Sequence, residues 1–286
     1  MGWYKSLVLP IVRWIDAETA HGLAIWALKN NLVPRDDDAT DTTPMLETEV
    51  FGRKFANPVG LAAGFDKNAE AFSAMLGFGF GFVECGTVTP EPQPGNARPR
   101  LFRLPEQRAL INRMGFNNDG VAALVERAKR RQGKTALGIN IGKNAITPPE
   151  QAVTDYLAAL KSVYAIADYV TINISSPNTK GLRDMQGRES LDELLGALCE
   201  ERDRLAEAES RYVPLAVKIA PDLTESQLDA IADRLLHHRI DGVIATNTTI
   251  ARDGVPLRWT REAGGLSGVP VRERSTQVIA ALRTRL

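Results

Sequence analysis

Short apolar runs alternate with longer amphipathic segments along most of this chain. Runs of strand-like length lie at residues 59–62, 80–84, 136–141, 169–174, 215–219 and 242–246. Segments of helical periodicity follow them at residues 69–76, 120–131, 152–167, 191–208, 225–237 and 271–285. Strands that alternate with helices in this way predict a parallel sheet in an α/β fold. One strand follows another after about forty residues, a spacing typical of a (β/α)8 TIM barrel with decorated loops.

The alternation supplies six strand–helix units, whereas a barrel of this type has eight. The pattern therefore leaves two architectures open. One is an open parallel sheet, and the other is a barrel that lacks its last two units because the chain stops early.

Residues 1–33 follow a different pattern, with apolar side chains on one helical face. The residues that share this face are Trp3, Leu7, Ile11 and Trp14. We expect Pro10 to split the segment and Asp16 to cap a second helix over residues 17–29. Two short helices that carry tryptophans are suited to the surface of a membrane. The alternative is a helical hairpin that packs against the rest of the chain.

The next segment, residues 34–44, is polar and has a proline at each end. We expect it to be a linker between the N-terminal helices and a barrel domain over residues 45–286. A single large α/β domain of this kind suits the 286 residues of the chain.

The composition excludes several classes of protein. Thirty-five basic residues balance thirty-five acidic ones, so we expect no nucleic-acid partner. The two cysteines, Cys85 and Cys199, are too few for a disulfide framework and fit a reducing compartment. No run of about 18 apolar residues predicts a membrane-spanning helix. Arg13 and Asp16 interrupt any apolar core of a signal peptide.

Polar side chains lie where four of the predicted strands end, and they belong to Asn140, Asn173, Lys218 and Asn247. The carboxyl ends of parallel strands share one edge of the sheet, and barrels of this type carry their active sites there. A buried asparagine without a partner costs about 1–3 kcal/mol, so this convergence favours a binding site over a purely structural role. Lys218 is placed to stabilise an anion that develops on a redox-active ring.

The most informative loop follows the fourth strand and reads Asn173-Ile174-Ser175-Ser176-Pro177-Asn178-Thr179. It offers amides, hydroxyls and a candidate proton acceptor, but no set of metal ligands. These groups fit a polar, planar substrate and the abstraction of a proton. The three histidines, His21, His237 and His238, are too few and badly placed for a metal site, and we expect no metal.

Two earlier loops also carry candidate binding groups. Residues 62–68 include Gly64, which tolerates a positive φ, and Lys67, which would supply a fixed charge. Thr87 follows the second strand and offers a hydroxyl to a heteroatom of a ligand. The alternatives are a strand-to-helix turn with a solvated lysine, and a hydroxyl that bonds within its own turn.

Three further segments have both a functional and a structural interpretation. Residues 111–118 hold three asparagines around a glycine, and asparagine suits the edge of an imide or a carboxylate. Asn118 is equally suited to capping a helix. Arg103 faces either a ligand or solvent from a short strand within residues 98–105. The glycine-rich residues 264–268 form either a phosphate cradle or a flexible turn.

Four motifs occur in a characteristic order, namely Ala-Gly-Phe-Asp-Lys at 63–67, Asn-Arg-Met-Gly-Phe-Asn at 112–117, Asn-Ile-Ser-Ser-Pro-Asn at 173–178 and Gly-Gly-Leu-Ser-Gly at 264–268. Over its whole length the chain resembles the dihydroorotate dehydrogenases, specifically the membrane-associated class that uses quinone. The resemblance implies an eight-stranded barrel with FMN at its top. It also implies that the two N-terminal helices form a tunnel through which quinone reaches the flavin.

The resemblance assigns roles to individual residues. Ser176 falls at the position of the catalytic base, where the soluble class has cysteine. The implied FMN contacts are Ala63, Gly64, Lys67, Thr87, Asn140, Asn173, Lys218, Thr246 and Gly268. The implied substrate contacts are Lys67, Asn112, Arg113, Met114, Gly115, Phe116, Asn117, Asn173, Asn178, Asn247 and Thr248. The implied residues on the quinone side are His21 and Arg103.

The implied reaction is the oxidation of (S)-dihydroorotate to orotate in de novo pyrimidine (UMP) biosynthesis. Ser176 would take the C5 proton, a hydride would pass from C6 to the flavin N5, and a quinone would reoxidise the FMN. The resemblance also implies a peripheral membrane protein, on the cytoplasmic face of a bacterial inner membrane.

The family continues past the point where this chain ends, with two more strand–helix units, so we expect a truncated form. One rival function is a non-catalytic remnant, because a barrel without two units has open strand edges. The intact site residues disfavour that alternative. Another rival is a related flavoprotein that acts on a different pyrimidine, which the N-terminal extension and Ser176 disfavour.

Overall fold

A six-stranded parallel sheet forms the centre of the molecule. The structure, a computed structural model, describes residues 12, 14–33, 44–131 and 136–286. In spatial order the strands are β10 (Gly242–Ala245), β9 (Leu215–Ile219), β8 (Tyr169–Asn173), β7 (Ala136–Ile141), β4 (Phe82–Val88) and β3 (Gly60–Leu61). All neighbouring strands in this sheet are parallel. The parallel order brings the carboxyl ends of the strands to one edge.

Two small antiparallel sheets flank the central one. The first is a hairpin of β1 (Thr48–Val50) and β2 (Arg53–Phe55). The second has the order β11 (Gly265–Gly268), β6 (Ala109–Asn112) and β5 (Leu101–Leu104). In the second sheet Gly265 of β11 and Leu101 of β5 both lie opposite Asn112 of β6, so this sheet brings a candidate site residue to its middle strand.

The helices pack mainly around the central sheet. Their bounds are α1 (Ala17–Lys29), α2 (Phe72–Leu76), α3 (Val121–Ala128), α4 (Ala152–Val163), α5 (Arg188–Glu209), α6 (Glu225–His237), α7 (Leu257–Thr260) and α8 (Val269–Arg283). Short 3-10 turns occupy Pro44–Leu46, Pro149–Gln151 and Leu182–Gln186.

Burial on both faces explains the uninterrupted apolar runs of the central strands. Every residue of β7 and β8 is buried. One core cluster joins these strands to α4 and α5, where Leu160 and Leu194 are completely buried. Asn140 near the end of β7 and Asn173 at the end of β8 are therefore held by well-packed strands.

Helix α1 has the bounds that the sequence predicted. Asp16 caps it, because the Asp16 carboxylate accepts a hydrogen bond from the Thr19 backbone N–H at 2.9 Å. Its buried Leu28 packs in a small cluster with Ala71 and Ala74. The first predicted helix and the linker, apart from Val12, Trp14 and Pro44, lie outside the described residues.

The alternation predicted from the sequence is confirmed, with shifts at several ends. Residues 264–268 do not form a flexible turn, since Gly265–Gly268 form strand β11, which pairs with β6. Asn118 does not cap helix α3. Its Oδ1 instead accepts a hydrogen bond from the Gly120 N–H at 2.8 Å, and the helix begins after Gly120.

The parallel sheet with its helices fits an α/β fold of the TIM-barrel type. Strands β3 and β10 form the two edges of this sheet. Among the described residues, no helix combines the length and the apolar character that crossing a bilayer requires.

Candidate active site

A cavity of about 750 Å³ lies where the parallel strands end. Loops after β3, β6, β8 and β10 line it, together with parts of α1 and of strands β4, β5, β6, β8, β9 and β11. The predicted site residues that line the cavity are His21, Ala63, Gly64, Lys67, Thr87, Arg103, Asn112, Met114, Gly115, Phe116, Asn173, Ser176, Asn178, Lys218, Asn247 and Thr248. Residues from distant parts of the sequence therefore share one space.

Five predicted site residues do not line this cavity, and they are Asn140, Arg113, Asn117, Thr246 and Gly268. The Arg113 guanidinium forms an ion pair with Glu262 and lies 4.8 Å from the centre of the Phe102 ring. Gly268 lines a neighbouring cavity of about 330 Å³, to which Arg103 also contributes. Arg113 and Gly268 thus lie beside the main cavity instead of in it.

Asn117 and Thr246 each have a buried side-chain oxygen without a hydrogen-bond partner among the described residues. Asn117 lines a second cavity of about 300 Å³, which Lys67 and Glu18 also line. A buried oxygen without a partner is costly, so both side chains have the capacity to accept a hydrogen bond from a bound molecule.

Glu84 is a buried carboxylate on β4, with 4% of its surface exposed. Its Oε1 accepts a hydrogen bond from Asn140 Nδ2 at 2.8 Å. Its Oε2 accepts hydrogen bonds from the Tyr169 hydroxyl at 3.0 Å and from the Thr171 hydroxyl at 2.9 Å. Since three donors converge on it, the Glu84 carboxylate acts as an acceptor, and a buried acid of this kind requires such partners.

A chain of hydrogen bonds continues from Asn140 across the strand ends. The Thr87 hydroxyl donates to Asn140 Oδ1 at 2.5 Å, and Asn173 Nδ2 donates to Thr87 Oγ1 at 2.8 Å. The Ser175 hydroxyl donates to Asn173 Oδ1, and Asn247 Nδ2 donates to Ser175 Oγ, both at 2.9 Å. We call this series, from Glu84 to Asn247, the Glu84 chain.

Ser176 lies in the loop after β8 with 5% of its surface exposed. Its Oγ accepts a hydrogen bond from the Asn178 backbone N–H at 3.2 Å. The Asn178 amide in turn donates to the Asn112 backbone carbonyl at 3.1 Å, which joins this loop to β6. The buried Thr179 hydroxyl has no hydrogen-bond partner among the described residues. Ser176 is thus a fixed hydroxyl that faces the cavity.

Lys67 brings a positive charge to the cavity. Burial lowers the pKa of Lys67 to about 8, and the nearby Arg100 guanidinium contributes to the decrease. The carboxylates of Glu18 and Asp66 oppose it. Lys67 is consequently cationic at neutral pH, and an anion in the cavity would meet a poorly solvated ammonium group.

His21 of α1 reaches the backbone of the loop after β3. Its Nε2 lies 2.7 Å from the Phe65 carbonyl oxygen, so this nitrogen carries the proton that is donated. The two rings pack edge to face with their centres 5.3 Å apart. Burial, and then the charge of Lys67, lower the pKa of His21, which favours a neutral imidazole beside the cavity.

Ion pairs and hydrogen bonds fix α1 over the mouth of the cavity. Glu18 pairs with the buried guanidinium of Arg100, with Nη2 and Oε1 2.7 Å apart. Arg103 Nη1 donates to the Ile15 carbonyl at 2.7 Å. Ala17 and Ala20 contribute apolar surface to the cavity wall. The helix therefore forms an apolar side of an otherwise polar site.

Sequence reasoning missed the contribution of Glu84, Ser175 and Phe65. Glu84 carried a usable signal, because an acidic residue at the end of an apolar strand must find partners when it is buried. Ser175 and Phe65 carried none, since their roles depend on which side chains the fold places beside them.

One cluster outside the cavity has the composition of a metal site. Ligand atoms of Asp192, His237 and His238 lie within 4.8 Å of one another. The same Asp192 oxygen accepts hydrogen bonds from Arg234 at 2.7 Å and from His238 at 2.8 Å. Because the guanidinium already neutralises the carboxylate, we assign no metal to this cluster.

Comparison with known proteins adds independent evidence. The family model for dihydroorotate dehydrogenase matches residues 45–286. A dihydroorotate dehydrogenase (quinone) from Azoarcus sp. (strain BH72) is 56% identical over 282 residues, covering 98% of this chain and 83% of the relative. A second, from Cellvibrio japonicus (strain Ueda107), is 60% identical over 240 residues, covering 84% of this chain and 70% of that protein.

A solved structure agrees with the sequence comparison. The crystal structure of DHODH from Eimeria tenella in complex with ferulenol superimposes with a TM-score of 0.88 at 40% identity. The match covers 94% of this chain and 77% of that one. Sequence, fold and the residues around the cavity agree, and the chain belongs to the dihydroorotate dehydrogenase family.

Proposed function

We propose that this protein oxidises dihydroorotate to orotate in pyrimidine biosynthesis, with FMN as its redox cofactor and a quinone as the electron acceptor. The observation that carries the proposal is the convergence of Ser176, Lys67 and several asparagine amides on one cavity. A base, a cation and planar amides suit the removal of a proton from a flat, anionic ring. The names of the curated relatives support the choice of substrate and acceptor.

Members of this family depend on a flavin, and the residues present fit FMN. Gly64 has a φ of +110° and no neighbour where a side chain would be, so a ring system has room to approach the backbone. Thr246 has a buried hydroxyl without a partner among the described residues, and Lys218 supplies a cation. When bound, FMN supplies the acceptor for the substrate hydride.

The side chains of the cavity would act mainly by orientation and proton transfer. Lys67 would pair with the carboxylate of the substrate. The amides of Asn112, Asn173 and Asn247 would hold the pyrimidine ring in one plane. Such fixed orientation lowers the entropic part of the activation barrier. Ser176 Oγ would take the C5 proton while its own hydroxyl proton leaves to water, and its burial holds the hydroxyl in place at the cavity wall.

Quinone would approach from the side covered by α1. His21 and Arg103 line the cavity there, among the apolar residues Val12, Ala17 and Leu101. The exposed side chains of Trp14 (93%) and Trp26 (57%) would enter the interface of a membrane, where aromatic side chains are favoured. We propose a peripheral association with the cytoplasmic face of a bacterial inner membrane.

An eight-unit barrel would complete this architecture. Strands β3 and β10 are the edges of the described sheet, and β10 is only half-buried along its length. Two further strand–helix units between these edges would close the barrel, because closure is how such sheets remove unpaired edges.

Spectral titration of the purified chain tests this function. FMN should bind and acquire a protein-induced spectrum, orotate should perturb that spectrum, and dihydroorotate should bleach it under anaerobic conditions. Addition of a long-tailed quinone should restore the colour. A chain that binds neither FMN nor orotate would instead support the non-catalytic remnant. Bleaching by another dihydropyrimidine but not by dihydroorotate would support the alternative substrate.

A further inference from the structure

The Glu84 chain has one direction of hydrogen bonding throughout. Each donor points towards Glu84, from Asn247 through Ser175, Asn173 and Thr87 to Asn140. At the far end the Thr248 backbone N–H donates to Asn247 Oδ1 at 2.7 Å. A hydroxyl or an amide can take part in either direction, whereas a carboxylate and a backbone N–H cannot. Glu84 therefore fixes Asn140, and the backbone N–H groups of Ser175 and Thr248 fix Asn173 and Asn247. Thr87 takes its direction from the two asparagines beside it.

We propose that Glu84 is a positioning residue that sets the orientation of the Asn140 amide and, through it, of the Thr87 hydroxyl that lines the cavity. Because Asn140 must present its NH2 group to the carboxylate, its oxygen faces Thr87. The Thr87 hydroxyl hydrogen is then used in the bond to Asn140 Oδ1, so Thr87 Oγ1 accepts a hydrogen bond from Asn173. The inference rests on the proposed function, since it concerns how the same cavity recognises its ligands.

The consequence is a cavity wall on which each polar side chain has a fixed role as donor or acceptor. Asn173 Oδ1 already accepts from both the N–H and the hydroxyl of Ser175, so Asn173 can offer a ligand only its second N–H. Thr87 can only accept a further hydrogen bond. Carbonyl and carboxylate oxygens are the groups that such N–H donors recognise, and both a pyrimidine dione and a flavin carry them.

Replacement of Glu84 by glutamine would keep the shape of the side chain but turn one of its two acceptor atoms into a donor. The hydroxyls of Tyr169 and Thr171 both donate to Oε2, so the glutamine oxygen would settle there and its NH2 group would face Asn140. Asn140 would then have to turn its oxygen towards position 84. Its NH2 group would then face Thr87 Oγ1, which already accepts from Asn173, whose oxygen the Ser175 backbone N–H holds in place. The Thr87 hydroxyl hydrogen would therefore turn towards the cavity, and Thr87 would offer a ligand a donor where it now offers an acceptor.

The principal experiment compares Glu84→Gln with the unmodified protein loaded with FMN. Orotate affinity, read from the flavin spectrum, should fall about tenfold or more, the effect of one misdirected hydrogen bond in a buried site. FMN affinity, measured by fluorescence quenching on the FMN-free protein, should also fall. Tyr169→Phe is the matched control, because it removes a buried donor to Glu84 but leaves the series intact. It should lower the melting temperature yet change both affinities less than about threefold.

Thr87 provides a second test if Glu84→Gln folds poorly. Thr87→Val interrupts the series and should weaken orotate binding, whereas Thr87→Ser keeps the hydroxyl and should spare it. In a double-mutant cycle the losses from Glu84→Gln and Thr87→Val should be strongly non-additive, because each already breaks the same series. The same non-additivity should appear in denaturant unfolding of the FMN-free protein.

Distinct outcomes separate this proposal from the proposed function. If the unmodified chain binds no FMN or orotate, the proposed function fails. The double-mutant cycle measured by denaturant unfolding still tests whether Glu84 and Thr87 are coupled. Additive losses in that cycle would overturn the role of Glu84. It would equally be overturned by an orotate affinity unchanged in Glu84→Gln, or by one lowered as much in Tyr169→Phe.

Discussion

Individual side chains in the cavity depend on surroundings that the fold supplies. Ser176 is a weak base on its own, and its usefulness comes from a buried, fixed position at the cavity wall. Lys67 is an ordinary lysine in the sequence, yet burial lowers its pKa to about 8. Substitution of Ser176 should therefore change the rate of proton transfer, and titration of Lys67 should change ligand affinity.

Replacement of the hydroxyl of Ser176 should separate binding from proton transfer. In Ser176→Ala, flavin reduction by dihydroorotate should slow by about 100-fold or more, the scale expected for a lost general base. Orotate should still bind nearly normally, because the amides remain. Stopped-flow reduction at saturating dihydroorotate measures the effect, and Ser176→Cys should recover part of the rate. Normal reduction with slow reoxidation would place the base elsewhere.

Titration of Lys67 should make orotate binding dependent on pH. The ammonium group that pairs with the ligand carboxylate is present below about pH 8 and is lost as the pH rises through that value. Orotate affinity should therefore fall about tenfold between pH 7 and pH 9. Lys67→Met should bind weakly and show a flat profile over the same range. A constant affinity of the unmodified protein up to pH 9 would contradict this assignment.

Helix α1 is docked by ion pairs that differ in burial, and two of them can be compared directly. Glu18 and Arg100 form the buried one, with side chains 12% and 6% exposed. Lys29 and Glu70 form the other, 3.0 Å apart, and the Lys29 side chain is 54% exposed. Because buried charges need partners and exposed pairs contribute little, the first pair should hold the helix in place.

The two pairs predict unequal mutational effects. Glu18→Ala leaves the Arg100 charge buried and should reduce the free energy of unfolding by about 1–3 kcal/mol. Lys29→Ala, on the same helix, should change it by less than about 0.5 kcal/mol. Arg100 lowers the pKa of Glu18, so this contribution is present at neutral pH and is lost as the pH falls through that lowered value. Denaturant unfolding of both variants measures the two changes in the free energy of unfolding. Equal changes would contradict a stabilising role for the buried pair.

Deletion of residues 1–33 should affect the two half-reactions differently. Dihydroorotate should still bleach the flavin, because the proposed substrate contacts lie on later loops. Reoxidation by a long-tailed quinone should fall sharply, and binding to lipid vesicles should be lost. A small soluble acceptor serves as the control and should react nearly normally. If α1 is only a packed hairpin, both half-reactions should suffer alike.

The sheet as a whole predicts a gradient of local stability. Every residue of β8 is buried at the centre of the sheet, whereas every residue of the edge strand β10 is only half-buried. Backbone amides of β10 should therefore exchange with solvent through local openings, about tenfold or more faster than those of β8. Hydrogen exchange followed by mass spectrometry measures this. Equal protection of the β8 and β10 amides from exchange would show that the β10 edge of the sheet is covered.

Element types were predictable because burial leaves a periodic trace in the sequence. The runs at 136–141 and 215–219 became β7 and β9 without any shift in their ends. Residues 264–268 were harder, because three glycines and a serine resemble a turn, and only pairing with β6 makes residues 265–268 a strand. The predicted helix 69–76 shortened to Phe72–Leu76, because Asp66 binds the backbone N–H groups of Glu70 and Ala71 in the preceding loop.

The sequence by itself determined the parallel α/β order, the polar strand ends and the motif loops, because these follow from local residue type and spacing. Only the tertiary structure decided which polar groups face one another. It turned Arg113 towards Glu262, buried Asn140 beside Glu84 and lowered the pKa of Lys67. Desolvation and hydrogen-bond direction depend on neighbours that are distant in the chain, and no local pattern records them.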